Sequence, residues 1–519
     1  MKLQKLIKSA GLYLPVGSKD FEVKGITSDS RAVMNGFIFV AIKGAESDGH
    51  RFISHAIQKG AKAIVIQCPW PRLPALVNPV RELPRRSGGL KGGRCKGGYF
   101  EDVVYIRVND TRRALADLSA AFWGHPSSLM KLVGITGTNG KTTVSYLIEA
   151  ILKYAHYSPA VIGTVNYRFK NKIFKAVNTT PDSSYLQALL AKMHKSKVDY
   201  VIIEVSSHAL DQDRARSAKF STGIFTNLSV DHLDYHRDLD SYFLAKARLF
   251  KNLPKKGAAI LNIDDGRAAG LIKLTKAYVV TYGLRGYADV SAQDVDFSLK
   301  GTEFILHLSS SIRKKFASGN NEIKMSLPLI GEYNIYNALA AIAFGLTQKI
   351  ELKTIRTGLE RFSGVPGRLE KVRIKKDFSV FVDYAHTEDA LRNVIMSLRP
   401  LCKGRIYVVF GCGGGRDRSK RPKMGQVVSE LADFAIITTD NPRSENPGSI
   451  IDEVVSGIDK KNYRVILDRR DAIKEALSIS RKDDIILVAG KGHERYQIFK
   501  DRIAPFDDRE VVRECLGLG

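Results

Sequence analysis

Between Leu132 and Leu152 the sequence reads LVGITGTNGKTTVSYLIEAIL: an apolar run, a glycine-rich turn, a lysine, two threonines and an apolar-periodic helix. Glycines let backbone N–H groups crowd around phosphate oxygens, and the N-terminus of the following helix adds partial positive charge. Lys141 can reach the outer phosphates and the Thr142 hydroxyl can ligate magnesium. The pattern predicts a nucleoside-triphosphate site. Ile135 stands where the first glycine of the usual phosphate loop would be, which leaves the shorter Gly137-x-x-Gly140-Lys141-Thr142. The alternative, an ordinary strand–turn–helix junction, has no use for a lysine and a threonine directly behind the glycine.

Two further groups stand at the ends of apolar runs, Glu204 in YVIIEVSSH and His232 in IFTNLSVDHLDYH. Open parallel sheets deliver ligand groups from such strand ends into one crevice, so both could hold magnesium. Taken singly, Glu204 reads equally well as a satisfied buried acid and His232 as a loop histidine. Gln212 and Arg214 are spaced to lie on one side of an extended loop, where Arg214 can offer a fork to a carboxylate. Lys246 lies in DSYFLAKARLF, which reads as a helix; by residue type alone it would be a solvated surface lysine.

These groups need a scaffold, and the pattern supplies one. Residues 1–109 hold short strands and helices, with FIFVAIKG and AKAIVIQ as strand candidates. Residues 110–364 alternate helical patterns with LVGIT, YVIIEVSS, TGIFTNLS and GAAILNIDD, the signature of a parallel sheet flanked by helices. Residues 365–519 repeat the alternation with FSVFVDYAH, RIYVVFGCGG, FAIITTD and DIILVAGKGH, so a second such sheet is expected. The segment 85–98, RRSGGLKGGRCKGG, has little to bury and reads as a surface loop.

At 100–200 residues per domain, 519 residues suggest roughly three to four domains. Hydrophobic residues at 44% and charged residues at 26% are ordinary globular values, which exclude a disordered or collagen-like chain. No uncharged apolar run approaches the length of a membrane span, and Lys2, Lys5 and Lys8 interrupt any signal-peptide core. Cys68, Cys95, Cys402, Cys412 and Cys515 form no CxxC pair, which argues against a disulfide framework or a zinc site and fits a reducing cytoplasm. The net charge of +27 favours anionic partners without choosing among them.

GTNGKTT, NTTPDS, EVSSHALDQDR, FTNLSVDHLDYH, LNIDD, GEYNIYNALAA, GVPGRLE, VDYAHTEDAL, GCGGGRDRSKRPKMG, TTDNPRSE and AGKGHE, running in order through nearly the whole chain, resemble the motifs of the Mur ligases, and most closely the branch that adds diaminopimelate to the peptidoglycan stem. The resemblance implies a three-domain α/β protein: an N-terminal UDP-binding domain, a central P-loop ATPase domain and a C-terminal Rossmann-like domain. It implies an ATP- and Mg²⁺-dependent amide ligase joining meso-diaminopimelate to UDP-N-acetylmuramoyl-L-alanyl-D-glutamate through an acyl phosphate. A cytoplasmic monomer is expected, with no obligatory nucleic acid and no membrane span.

Residue by residue, the resemblance assigns Gly137, Thr138, Asn139, Gly140, Lys141, Thr142 and Thr143 to the ATP phosphates. Asn262 goes to adenine, Asp383 to the ribose and Arg368 to the γ-phosphate. Magnesium falls to Thr142, Glu204, His232 and Lys246, the lysine as a carbamate formed with carbon dioxide. Ser28, Ser30, Ala45, Glu46 and Ser47 match the uridine pocket, and Asn178, Thr179, Thr180, Ser206, Gln212 and Arg214 the muramoyl dipeptide. On the amine side stand Arg416, Gly490, Glu494 and the turn Asp440-Asn441-Pro442-Arg443. Arg443 there offers the forked cation that a distal carboxylate requires, Pro442 stiffens the turn, and Glu494 can accept from the distal ammonium. DNPR by itself could equally be a surface turn.

The chain departs from the family pattern at Glu388, where proline is usual, and in the 85–98 segment. Two rivals remain: a folylpolyglutamate synthetase, in which neither a UDP-type domain nor DNPR is expected, and a nucleic-acid-binding protein suggested by charge alone, which would leave GTNGKTT without a use.

Overall fold

The structure is a computed structural model that describes residues 1–44, 47–67, 100, 102–316 and 322–518. Ala45, Glu46, Cys68, Cys95 and the glycine–basic segment 85–98 lie outside the described residues. The chain packs as two compact units: 1–134 with 158–221 and 252–254, and 135–157 with 222–251 and 255–519.

In the first unit, the strands Gly25–Thr27, Phe37–Val40, Ala61–Gln67 and Val104–Val108 form a parallel sheet in that order. Alternate side chains serve opposite faces, as the two-residue strand period requires. Ile38, Val40, Ala63 and Val65 pack with Leu3, Leu6, Leu115 and Leu118, while Phe39, Ala41, Ile64 and Ile66 pack with Ile53 and Ala56. The helix Thr111–Phe122, opened by Asp110 accepting from the N–H groups of Arg112 and Arg113, thus contributes to the core of this sheet. The same unit holds Tyr200–Glu204 parallel to Pro159–Ile162, extended by the antiparallel strands Asn166–Phe169 and Lys172–Lys175.

In the second unit, parallel pairing runs from Phe220–Phe225 through Ala258–Asn262 and Tyr278–Gly283 to Val290–Ser298, and continues antiparallel through Gly301–Leu308 and Glu322–Leu327. A separate six-stranded sheet has the order Glu370–Val372, Ser379–Asp383, Ile485–Ala489, Ile406–Phe410, Phe434–Ile437, Tyr463–Val465, all parallel except the first. Its central strands read as unbroken apolar runs because both faces are covered: Phe381, Val408 and Leu487 face one core, Val380, Val409 and Ile486 the other. The C-terminal ends of four adjacent parallel strands therefore deliver the loops that follow Asp383, Ala489, Phe410 and Ile437 to one edge.

The helix Asp508–Cys515 is pinned to this sheet by a fully buried pair. Arg469 Nε and Nη2 donate to Asp508 Oδ1 and Oδ2, each at 2.8 Å, and Nη2 also donates to the Ala489 carbonyl at 3.0 Å.

Candidate functional site

The phosphate loop joins the strand Lys131–Thr136 to the helix Lys141–Tyr154. Gly137 (φ +149°) and Gly140 (φ +85°) take up backbone conformations that L side chains rarely adopt, and a Cβ on either would run into Thr226 Oγ1 or Asn337 Oδ1. Neutral groups from the neighbouring FTN segment hold the loop. The N–H of Thr138 donates to the Asn227 carbonyl and that of Asn139 to Asn227 Oδ1, each at 2.9 Å, while Thr226 Oγ1 donates to the Asn139 carbonyl at 2.6 Å. Lys141 Nζ bridges the carbonyls of Gly137 (2.8 Å) and Thr138 (2.7 Å), and Thr142 and Thr143 are buried at the helix start. The residue before that helix is Gly140, which offers no capping side chain, and a helix N-terminus favours an anion.

Lys246 departs from the surface position that its residue type alone suggested. The helix Leu239–Lys251 turns it inward, where it is 1% exposed. Its Nζ donates to the Gly137 carbonyl at 2.9 Å and lies 4.2 Å from the centre of the Tyr242 ring. Burial first, and then the nearby Lys141 charge, hold its pKa well below that of an ordinary lysine. A neutral amine is the form that reacts with carbon dioxide. His232, at the exposed end of the loop with φ +56°, lies 3.4 Å from Asp231; desolvation, opposed by Asp231 but reinforced by Lys141 and Lys246, lowers its pKa.

Asn262 is buried, donating to the Thr226 carbonyl at 2.8 Å. Asp383 accepts from the N–H groups of Leu369 (2.5 Å) and Ala385 (2.7 Å), and burial raises its pKa against the pull of Arg368. The Arg368 guanidinium lies 4.7 Å from the centre of the Tyr384 ring, and the His493 ring is tilted at 42° to that ring with centroids 5.0 Å apart. Burial and then the charge of Arg368 push the His493 pKa down to about 3. The sequence did not single out Asp389, which accepts from Asn139 Nδ2 at 3.0 Å. It follows Glu388 in the first turn of the helix Glu388–Leu398, whose cap is Thr387. Glu388 is thus at the first helical position, where proline and an acidic residue are both at home, and the departure from the family pattern costs the backbone nothing.

In the turn expected to meet the amine, Asp440 and Asn441 are buried rather than part of a surface turn. Asn441 Oδ1 accepts from Lys491 Nζ (3.1 Å) and from the Ile498 N–H (3.0 Å), and its Nδ2 donates to Glu494 Oε2 at 2.8 Å. Lys491, fully buried, also donates to Glu494 at 3.1 Å. Glu494 is thus held by two partners of its own sheet, and Lys491 is a hub that the sequence did not reveal. Arg443 adopts φ +53°, fixed by its N–H on the Ile498 carbonyl at 2.9 Å, and its Nη1 donates to the Gly414 carbonyl at 2.6 Å. Arg416 is exposed on the glycine loop. At Gly490 (φ +110°) a Cβ would press on Asp440 Oδ2 at 2.6 Å.

The other expected groups belong to the first unit. Glu204, 1% exposed, accepts from Thr164 N (3.2 Å) and Thr164 Oγ1 (2.9 Å), and Thr179 Oγ1 is 3.1 Å from the same hydroxyl. Thr180 Oγ1 donates to the Glu204 carbonyl at 2.7 Å and accepts from Ser206 N at 3.0 Å; Asn178 is held by the Tyr167 hydroxyl. The fold therefore gathers Glu204, Asn178–Thr180 and Ser206. The segment carrying Gln212 and Arg214 is a tight turn after the helix Ser207–Asp211, with Asp213 at φ +54°, and not the extended loop expected. The helix C-terminus bends the chain back, so Gln212 Oε1 accepts from Arg214 Nε (3.0 Å) and Nη2 (2.6 Å). Ser30 Oγ lies 3.1 Å from His55 Nδ1, the Ser47 carbonyl accepts from Gly44 N, and Ser28 is half-buried. Among the described residues no three His, Cys, Asp or Glu side chains form a metal cluster by themselves; the proposed magnesium set is of mixed chemistry.

Parallel α/β sheets and a Gly-Lys-Thr loop opening a helix define a protein of the P-loop nucleotide-binding class. Family models described as "Mur ligase family, catalytic domain", "Mur ligase middle domain" and "Mur ligase, glutamate ligase domain" match residues 22–86, 135–345 and 367–492. The chain is 41% identical to the UDP-N-acetylmuramoyl-L-alanyl-D-glutamate–2,6-diaminopimelate ligase of Clostridium tetani, over 99% of both chains. Identity to the protein of the same name from Bacillus cereus is 38%, over 99% of this chain and 98% of that one. A solved structure with that name superposes with a TM-score of 0.65 at 30% identity, covering 97% of each chain. The chain belongs to the Mur ligase family, and its three domains are those of that family.

Proposed function

We infer that the protein is an ATP-dependent amide ligase that joins meso-2,6-diaminopimelate to the D-glutamyl side-chain carboxylate of UDP-N-acetylmuramoyl-L-alanyl-D-glutamate, a step of peptidoglycan precursor synthesis. The observation that carries this reading is the 41% identity over 99% of both chains to a ligase of that name. A carboxylate is a poor acylating agent, so the γ-phosphate is first transferred to it, and the amine then attacks the acyl phosphate with release of phosphate. Such transfer asks the protein chiefly for positioning and charge neutralisation.

In this reading the N–H groups of Gly137–Thr143 and the Lys141 ammonium hold the ATP phosphates, Arg368 meets the γ-phosphate, and Asn262 and Asp383 take the adenine and ribose. Thr142, Glu204, His232 and a carbamylated Lys246 would hold magnesium, which offsets phosphate charge when bound. The depressed pKa and burial of Lys246 support carbamylation: its amine is available as nucleophile, and the resulting anion would relieve the repulsion from Lys141. Ser28, Ser30 and the stretch Ala45–Ser47 serve the uridine end. Asn178, Thr179, Thr180, Ser206, Gln212 and Arg214 serve the dipeptide, with the Arg214 fork passing from Gln212 to a substrate carboxylate. Asp440, Asn441, Pro442, Arg443, Arg416, Gly490 and Glu494 form the amine site.

We place the domains at 1–109, with the helix Thr111–Phe122 packed against the first, then 110–364 and 365–519, in a cytoplasmic monomer. No helix among the described residues is long and apolar enough to cross a membrane. The test is ADP release with UDP-muramoyl-dipeptide across meso-diaminopimelate, L-lysine and L-ornithine. Turnover with meso-diaminopimelate well above the other two is expected; equal kcat/KM for meso-diaminopimelate and L-lysine would reject the amine assignment.

A further inference from the structure

We propose that Arg421, outside the amine site itself, positions both loops that read the amine, and that its ion pair with Glu445 sets the discrimination between diaminopimelate and amines lacking a distal carboxylate. The proposal rests on the reading of Arg416 and Arg443 as amine-side groups.

Arg421 lies in the first turn of the helix Lys420–Leu431, and its side chain is fully buried. Its guanidinium forks onto Glu445, Nη1 to Oε2 at 2.9 Å and Nη2 to Oε1 at 3.0 Å. Nη1 also donates to Glu453 Oε2 at 2.9 Å and Nη2 to the Gly413 carbonyl at 3.3 Å. Glu445 in turn accepts the Gly415 N–H at 2.5 Å, and its pKa falls to about 2, with the Arg421 hydrogen bond the leading cause. One buried cation thus ties together three stretches of chain: the glycine loop carrying Arg416, the turn carrying Arg443, and the helix Pro447–Val455 that carries Glu453.

The two loops need such a tie. Gly411, Gly413, Gly414 and Gly415 leave the first without side chains to fix it. At Gly414 a Cβ would collide with the Pro442 carbonyl, so the backbones touch. In the second loop, Arg443 is held at φ +53°, a strained choice for arginine that persists only where the surroundings dictate it. Recognition of a carboxylate by a fork tolerates roughly 0.5 Å of misplacement, and a neutral glycine loop by itself would not hold Arg416 and Arg443 to that. A planar fork can grip two carboxylates and a carbonyl at once; a lysine in its place keeps the charge but loses the geometry.

The experiment compares wild type, Arg421→Lys and Glu445→Gln in steady-state assays with meso-diaminopimelate and L-lysine at saturating UDP-muramoyl-dipeptide, alongside melting curves. Expected is a rise of about tenfold or more in KM for diaminopimelate, a matching fall in the diaminopimelate-over-lysine ratio of kcat/KM, and a KM for ATP within about twofold of wild type. Glu445→Gln keeps volume and polarity, and should shift the same quantities in the same direction by less. A purely structural role would instead lower kcat for both amines together with the melting temperature and leave the ratio unchanged; that result in both folded variants overturns the proposal. Wild-type enzyme using both amines equally would remove the amine-site reading itself, a failure seen before any variant is compared.

Discussion

At Gly137–Thr143 the chain braces its loop backbone mainly through uncharged groups, the Thr226 hydroxyl and the Asn227 amide, with Lys141 lying on two loop carbonyls, Lys246 on one of them and Asp389 accepting from Asn139. At 411–416 and 440–445 it uses ions instead: Arg421 against Glu445 and Glu453, Lys491 against Glu494. In the proposed reading the first region meets ATP phosphates, each of which presents like oxygens to backbone N–H groups. The second, read as the amine site, would have to tell one end of a small zwitterion from another, and that takes directed charge. Neutral bracing tolerates loss of a nearby charge structurally; ionic bracing does not, since removing one partner leaves the other buried and uncompensated.

The contrast can be broken most forcefully at Lys141. Lys141→Ala should lower amide formation by about two to three orders of magnitude with a melting temperature close to wild type, because Thr226 and Asn227 still hold the loop backbone. Wild-type turnover from the folded variant would misplace the ATP site. Lys246→Ala should be almost as inactive, yet partly restored by short-chain carboxylates that occupy the vacated anionic position, whereas Lys246→Arg should not respond; full activity of Lys246→Ala would remove the carbamate. On the ionic side, Arg443→Ala should raise the KM for diaminopimelate by roughly 30-fold, equivalent to about 2 kcal/mol, with kcat little changed; a fall in kcat alone would place Arg443 elsewhere in the reaction.

The smallest effect concerns pH. His493 has its pKa lowered from 6.5 to about 3 in the folded state, so the unfolded chain binds the extra proton first. Its contribution to stability is complete above pH about 6.5 and is lost progressively as pH falls towards about 3. His493→Gln should therefore unfold less steeply with acid across that window, as read from denaturant midpoints; identical slopes would show that the ring is not held neutral.

Most of this architecture was legible because it is written in short-range pattern. Every apolar run named as a strand is one, from Phe37–Val40 to Ile485–Ala489, since strands covered on both faces have no polar alternative. The antiparallel strands Gly301–Leu308 and Glu322–Leu327 escaped notice because pairing of that kind follows from turn geometry and distant partners, with a burial pattern that alternates rather than runs. The site divides the same way. Gly137 to Thr143 announce themselves through residue type and spacing. Arg421 and Lys491 do not, because lysine and arginine are ordinarily solvated and only long-range contacts bury them. Lys246 was recoverable only through resemblance, its helix giving no local sign of which face turns inward, and the Gln212–Arg214 turn was misjudged because a left-handed aspartate is invisible in sequence.

The Arg469–Asp508 pair has a practical consequence for anyone handling the protein. The arginine that grips the final helix also holds the carbonyl of Ala489, the residue from which Gly490–Glu494 departs. A protease cut ahead of Asp508 would strand a desolvated guanidinium, at a cost of about 3–5 kcal/mol, and would slacken the strand end that launches the loop proposed to meet the amine. Preparations clipped near the carboxyl end, or fusions that pry that helix away, should bind amine poorly while still taking up nucleotide, a loss easily mistaken for low specific activity.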